Sequence, residues 1–255
     1  MKNRTIKIAT FTLFGFLISC QNGDDPEPTQ NINTEFNFEY AGSIGAPYAN
    51  TTGITSDQEN LWILSGGHNA DQHTLIYYDL DSYTIEKEFV YDSLIEQLGT
   101  GVYGISCHDN ELWISVSGNT NKLVKIDTAN GDIQQTWTSP SILGPSDIDY
   151  DESRNVLWYS TGTGELYTIN TINGGSDFIV NYATGDFRDA GMAYYNNKIL
   201  VSDMFMNHIH IYDAETGNYE GYVPDQVTYS GSMTIHQDHL LICHSAGVRF
   251  YEIIN

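Results

Sequence analysis

Positive charge is scarce in this sequence. Its 255 residues carry 10 Lys and Arg against 33 Asp and Glu, a formal net charge of −23. A surface of that sign repels phosphate backbones and anionic head groups, so nucleic acid is excluded as a partner class. Divalent cations, basic proteins and neutral ligands remain compatible with it. Cysteine is almost absent, with Cys20, Cys107 and Cys243 in no C-x-x-C or other zinc spacing. No apolar run reaches the roughly 20 residues of a membrane span. No helical period extends beyond one turn around residues 94–98. There is no phosphate loop, no G-x-S-x-G, no Ser-His-Asp constellation and no matched carboxylate pair, so the usual hydrolase and nucleotide signatures are missing.

The first residues do carry a signal. Met1 to Lys7 is basic and free of acid, Ile8 to Ser19 is a short apolar run, and Leu17-Ile-Ser-Cys20 ends it. That order defines a secretory signal, and its end resembles a bacterial lipobox with Cys20 as the lipidated residue. The expected organisation is a signal peptide over 1–19, a lipidated Cys and acidic tether over 20–35, and a folded domain over 36–255. The tether reading rests on Gln21–Asn33, which holds Asp24-Asp-Pro-Glu-Pro28 and no large apolar residue except Ile32. Without residues 1–19 the chain keeps 7 basic and 33 acidic residues, a net charge of about −26. A lipidated Cys20 is expected to hold the domain at the outer membrane; the early acidic cluster resembles the surface-export signals of bacterial lipoproteins, and the leaflet that carries the anchor stays open. The acyl chains then make the membrane a partner.

The domain itself is a repeat. The apolar residue opening each unit is Ile54, Ile105, Ile148, Met192 and Met233, at spacings of 51, 43, 44 and 41. Second strands follow at Leu61–Leu64, Leu112–Ser115, Leu157–Ser160, Ile199–Ser202 and Leu240–Cys243. These are apolar on both faces, so both faces must be covered, as in stacked sheets. Third strands follow at Leu75–Tyr78, Leu123–Ile126, Leu166–Ile169, Ile209–Tyr212 and Val248–Tyr251; Asp79, Asp127, Asn170 and Asp213 come directly after four of them, and Asn130-Gly131, Asn173-Gly174 and Thr216-Gly217 turn three into fourth strands. The fifth unit has no fourth strand, whereas Phe36–Ala41 is a strand without a unit. The predicted fold is therefore all-β: a five-bladed β-propeller of four-stranded antiparallel blades, its ring closed by the N-terminal strand pairing with the last blade. Cys107 and Cys243 fall in blades that are not neighbours, which argues against a disulfide and for small buried side chains.

The stretch Gly191-Met-Ala-Tyr-Tyr-Asn-Asn-Lys-Ile-Leu-Val-Ser-Asp203 with Asn207–Asp213 resembles NHL and YVTN-type propeller repeats. Thr52-Gly-Ile54 through Leu61-Trp-Ile-Leu-Ser-Gly-Gly67 to Tyr78-Asp-Leu-Asp81 resembles the opening blade of the glutamine cyclotransferase family. That resemblance implies a five-bladed propeller that cyclises N-terminal glutamine. The family places one Glu before the Ser/Thr-Gly pair of blade one and another before the Gly opening blade two. Those positions are Leu64 and Tyr103 here. The chemistry does not carry over, because both carboxylates are missing.

In a propeller the loops entering the inner strands share a rim with the loops between second and third strands, and that rim is the default site. It gathers Tyr48, Asn50, His68, Tyr103, Asn119, Asp147, Arg188, Asp189, Asp203, Tyr229 and His244. Tyr, Asn and His suit a polar, partly flat ligand. Arg188 either pairs locally with Asp186 and Asp189 or offers a lone cation to a carboxylate ligand. His68, Asp71 and His73 form a loop that a divalent cation such as calcium could use, but without a recognised spacing, so no metal, cofactor or catalytic residue is assigned. His108 and His236 recur at equivalent places and read as structural or exposed, and His208 and His210 as half-exposed strand residues. The function read from the sequence is a lipid-anchored, non-catalytic module for a small molecule, glycan, peptide or envelope protein. The alternative is a propeller enzyme, either a metal-dependent lactonase-like hydrolase or a divergent cyclotransferase.

Overall fold

A computed structural model of the chain describes residues 32–255 apart from 46, 48–50, 67–72, 92–100, 119–120, 140–143, 182–188, 204–205, 225–230, 245–246 and 255. Of Pro145, Asp189 and Ala190 it describes the backbone alone. Every regular element among the described residues is a β-strand. Blade one holds β2 (Thr51–Ser56), β3 (Leu61–Ser65), β4 (Thr74–Asp79) and β5 (Thr84–Val90). Blade two holds β6 (Gly101–His108), β7 (Glu111–Ser117), β8 (Lys122–Asp127) and β9 (Ile133–Thr138). Blade three holds β10 (Pro145–Asp151), β11 (Val156–Thr161), β12 (Glu165–Asn170) and β13 (Ser176–Asn181), and blade four β14 (Asp189–Tyr195), β15 (Lys198–Asp203), β16 (His208–Asp213) and β17 (Tyr219–Val223). Blade five is β18 (Met233–His236), β19 (His239–His244) and β20 (Gly247–Ile254), completed by β1 (Asn37–Gly45).

The ring therefore closes as its sequence predicts, with β1 antiparallel to β20 from Asn37 opposite Ile254 to Gly45 opposite Gly247. The closing strand is longer than the expected Phe36–Ala41. A bulge between Tyr40 and Gly42 shifts its register and lets pairing continue. The first strands β2, β6, β10, β14 and β18 each end their sheet and contact one another in ring order, so they line the axis.

The second strands carry the core. Each joint between blades holds one buried cluster, and the residue after the repeat leucine supplies it from one side. Trp62 packs into the joint of blades one and two, Trp113 into that of two and three, and Trp158 into that of three and four. Leu200 and Leu241 do the same for the last two joints. Cys243 is buried in the joint of blades five and one and Cys107 is half-buried beside blade one; both are free thiols.

Local chemistry sets the turns. Asp79, Asp127, Asn170 and Asp213 end the third strands because the side-chain oxygen of each accepts N–H groups two or three residues on, such as Ser82 at 2.6 Å and Thr216 at 2.8 Å. Four residues after three of these stand Gly131, Gly174 and Gly217 at φ of 80°, 72° and 72°. Blade one has Tyr83 there, at φ 58°. The first turns use Asp109-Asn110 and Asn196-Asn197, all with positive φ, the pattern of tight hairpins.

The folded body also reaches further back than expected. The tether was expected to run to residue 35, but Ile32 forms a parallel bridge with Tyr222 on the outer strand of blade four. Asn33, 9% exposed, donates its N–H to the Tyr222 carbonyl at 2.9 Å and its side-chain amide to the Glu220 carbonyl at 3.2 Å. Its Oδ1 accepts the N–H groups of Glu35 and Phe36, which turns the chain into β1. Phe36 and Phe38 then enter the joint of blades four and five.

Candidate functional site

The axis of the ring is decided by one position of the repeat, the residue before each marker. It is Gly53, Gly104, Asp147, Gly191 and Ser232. Glycine lets the inner strands close in: a Cβ on Gly104 would lie 2.6 Å from Asp147 Cα, and one on Gly191 would lie 2.2 Å from the Gly231 carbonyl oxygen. The side chain of Asp147 fills the space so enclosed. Its Oδ2 accepts the N–H groups of Met192 at 2.8 Å and Met233 at 3.1 Å. Its Oδ1 accepts the Ile148 N–H at 3.0 Å and the Ser232 hydroxyl at 2.9 Å. The residue is 1% exposed. Asp147 was expected on the ligand rim, and the structure corrects that: it lies two residues inside β10, in the closed centre of the ring, as a bond between blades three, four and five.

Asp149, on the same face of β10, repeats the device one step along. Its Oδ2 accepts the Tyr194 N–H of blade four at 2.7 Å, and its Oδ1 accepts the Tyr150 N–H at 3.0 Å and the Ser106 hydroxyl of blade two at 3.2 Å. Burial is the largest influence on this carboxyl and pushes its pKa up to about 7, against the pull of those donors; the Asp151 carboxylate adds to the rise. In blade one Thr55 takes the same place, its hydroxyl oxygen accepting the Cys107 N–H at 3.0 Å.

A cavity of about 510 Å³ opens on the rim formed by the first turns, opposite the entering loops. Its walls come from the first turns of blades one to three: Asp57 and Glu59, then His108 and Asp109, then Glu152. Tyr77 and Cys107 complete its apolar side. Asp57 is held in place by its own turn, its Oδ1 accepting the Glu59 and Asn60 N–H groups and its Oδ2 the Tyr77 hydroxyl at 2.7 Å. His108 stacks on Tyr150 at 4.0 Å between centroids. Burial, with Asp57 and Asp109 nearby, pushes the Cys107 thiol up to about 12, which disfavours the thiolate. Among the described residues, four carboxylates and no Lys or Arg line this space, which selects against anions. Among the described residues no group of three His, Cys, Asp or Glu side chains is placed to hold a metal ion.

Of the expected ligand rim, Tyr48, Asn50, His68, Asn119, Arg188 and Tyr229 lie outside the described residues, as do Cys20 and Asp71. The backbone of Asp189 pairs with Asp203, and Asp203 and His244 end their second strands on the rim of the entering loops. Asp203 is buried and its Oδ2 lies 3.7 Å from His210 Nε2, whose other ring nitrogen bonds the Tyr219 hydroxyl at 3.2 Å. Burial lowers the pKa of His210 although Asp203 opposes it, and burial together with Arg249 lowers that of His244. Tyr103 is half-buried and its phenol pKa is raised by burial. None of Tyr103, Asp147, Asp203 and His244 lines the cavity. His236 is buried and bonds the Ser56 hydroxyl at 2.6 Å, a structural role, while its repeat equivalent His108 lines the cavity. The cavity residues escape sequence reasoning because they belong to three separate turns. The available signal was that first turns carry Asp57, Glu59, Asp109 and Glu152 in blades one to three, against Asn196-Asn197 in blade four.

No family model matches the sequence, and no curated protein matches it either. Solved structures do. The glutaminyl cyclase of Myxococcus xanthus is 13% identical, covers 86% of this chain and 97% of its own, and superposes with a TM-score of 0.62. A chain of a nidogen/laminin complex is 12% identical over 81% of this chain and 84% of its own, with a TM-score of 0.56. A protein of unknown function from Bacteroides thetaiotaomicron is 13% identical over 79% of this chain and 58% of its own, also with a TM-score of 0.56. At such identities the likeness is one of fold, and the chain is a five-bladed β-propeller similar in fold to a glutaminyl cyclase.

Proposed function

We propose that this protein is a lipid-anchored, non-catalytic binding propeller of the outer membrane, held through Cys20 and serving a small molecule, glycan, peptide or envelope protein. The observation that carries this reading is where the axial carboxylates are used. Asp147 and Asp149 accept backbone N–H groups of the following blades, so they act as scaffold. The two places where the similar cyclase family keeps glutamates hold Leu64, 1% exposed, and Tyr103, whose raised pKa keeps it a neutral phenol. The acidic cavity is the candidate ligand site, and its lining favours amine or hydroxyl donors. The test is turnover by the purified chain of peptides with N-terminal glutamine and of lactones, run beside a thermal-shift screen of amines and neutral sugars. The expected result is no turnover, with a stabilising ligand whose effect falls in Glu152→Gln. Turnover abolished by Tyr103→Phe would overturn the reading.

A further inference from the structure

The inner edge of a propeller's first strands is a row of backbone groups that no neighbouring strand satisfies. At the level of Asp147 those groups are donors that converge. Ile148, Met192 and Met233 supply three N–H groups and Ser232 a hydroxyl, and all four lie 2.8–3.1 Å from one carboxylate. They come from blades three, four and five. Ser232 Oγ also lies 3.4 Å from the Ile54 carbonyl oxygen of blade one, and Gly104 of blade two closes the remaining side. Converging N–H donors in a space that excludes water form an anion site. Three of five blades carry glycine at the position of Asp147, so the ring is compatible with no side chain there.

We propose that the centre of this propeller is an anion-binding site for a carboxylate, filled in the native protein by the chain's own Asp147, and able to take a free small carboxylate when that side chain is removed. The donors belong to the scaffold, and the anion is the part that can be exchanged. Without an anion, three N–H groups face an enclosed space, a costly state, and the Ser232 hydroxyl keeps only the Ile54 carbonyl at 3.4 Å. The site therefore prefers a small planar anion with two oxygens over a larger or tetrahedral one.

The test is Asp147→Gly, which installs the residue of the equivalent positions Gly53, Gly104 and Gly191. Sodium formate is titrated at constant ionic strength against sodium sulfate while thermal unfolding is followed. The variant's midpoint rises and saturates with formate, acetate acts less, and the native protein shows no such difference between salts. In Asp147→Gly combined with Ser232→Ala, one donor fewer weakens apparent formate affinity about tenfold. If Asp147→Gly does not fold alone, recovery of folded protein on refolding in formate but not in sulfate supports the proposal. A folded variant indifferent to formate, equal formate stabilisation of the native protein, or failure to recover folded protein in formate would each overturn it.

Discussion

Replacing Asp149 by Asn should change how stability depends on pH more than it changes stability itself. In the unfolded chain this carboxyl ionises near its ordinary 3.8, and in the fold near 7. The folded state therefore holds the proton more tightly. Its contribution to stability is fully present below pH 3.8, declines from there, and is gone above pH 7. At 1.36 kcal/mol for each tenfold step the loss is at most about 4 kcal/mol, and solvent reaching this half-buried residue brings it to about 2 kcal/mol. Asparagine keeps one acceptor for Tyr194 or Ser106 and loses the titration, and turning an amide toward a donor costs about 1–2 kcal/mol. Denaturant unfolding of both proteins from pH 4 to 8 isolates the effect as a difference, because carboxyls with lowered pKa values, such as Asp213, contribute equally to both. The variant should be the less stable at pH 4 and should draw level with or pass the native protein by pH 7.5. Parallel curves would refute the reasoning, since they would mean that Asp149 ionises alike in both states.

Two further substitutions test the packing of the ring. Gly104→Ala places a Cβ 2.6 Å from backbone of blade three and should cost about 3 kcal/mol, read as a lower denaturation midpoint. Tyr83→Gly replaces a residue 63% exposed at φ 58° with the one that equivalent turns use, and should gain about 0.5–1 kcal/mol, a rise of about 2 °C in Tm.

The sequence and the structure agree where a short-range rule repeats. The five markers, the second strands apolar on both faces and the Asp or Asn ending four of the third strands each express local chemistry, so their register could be read from spacing. The closing strand was legible because Phe36 and Phe38 alternate with polar residues. Its continuation to Gly45 was not, because a bulge breaks the alternation at Tyr40 and Gly42. Asn33 was hidden in a polar stretch, since what buries it is backbone of Tyr222 and Glu220, far along the chain. Asp147 directly precedes the marker Ile148, so spacing alone puts it in the loop entering the inner strand. Only the approach of the inner strands puts its side chain at the axis. The cavity had the weakest signal, because its walls meet only through the angle between blades one, two and three.

The pairing of β1 with β20 has a consequence in time. Asn37 is among the first residues of the folded body to be made and Ile254 among the last. A ladder between them closes a loop nearly the length of the domain, and such long-range pairing is slow to form. Until β20 exists, Phe36 and Phe38 lack the blade that buries them, and the ring has two open edges. Blades one to four can each pair their strands as they emerge, because each is continuous in sequence. The final blade cannot. Chains interrupted before Ile254 should therefore expose a sticky strand at both ends, and the making of β20 becomes the event that renders the ring safe from aggregation.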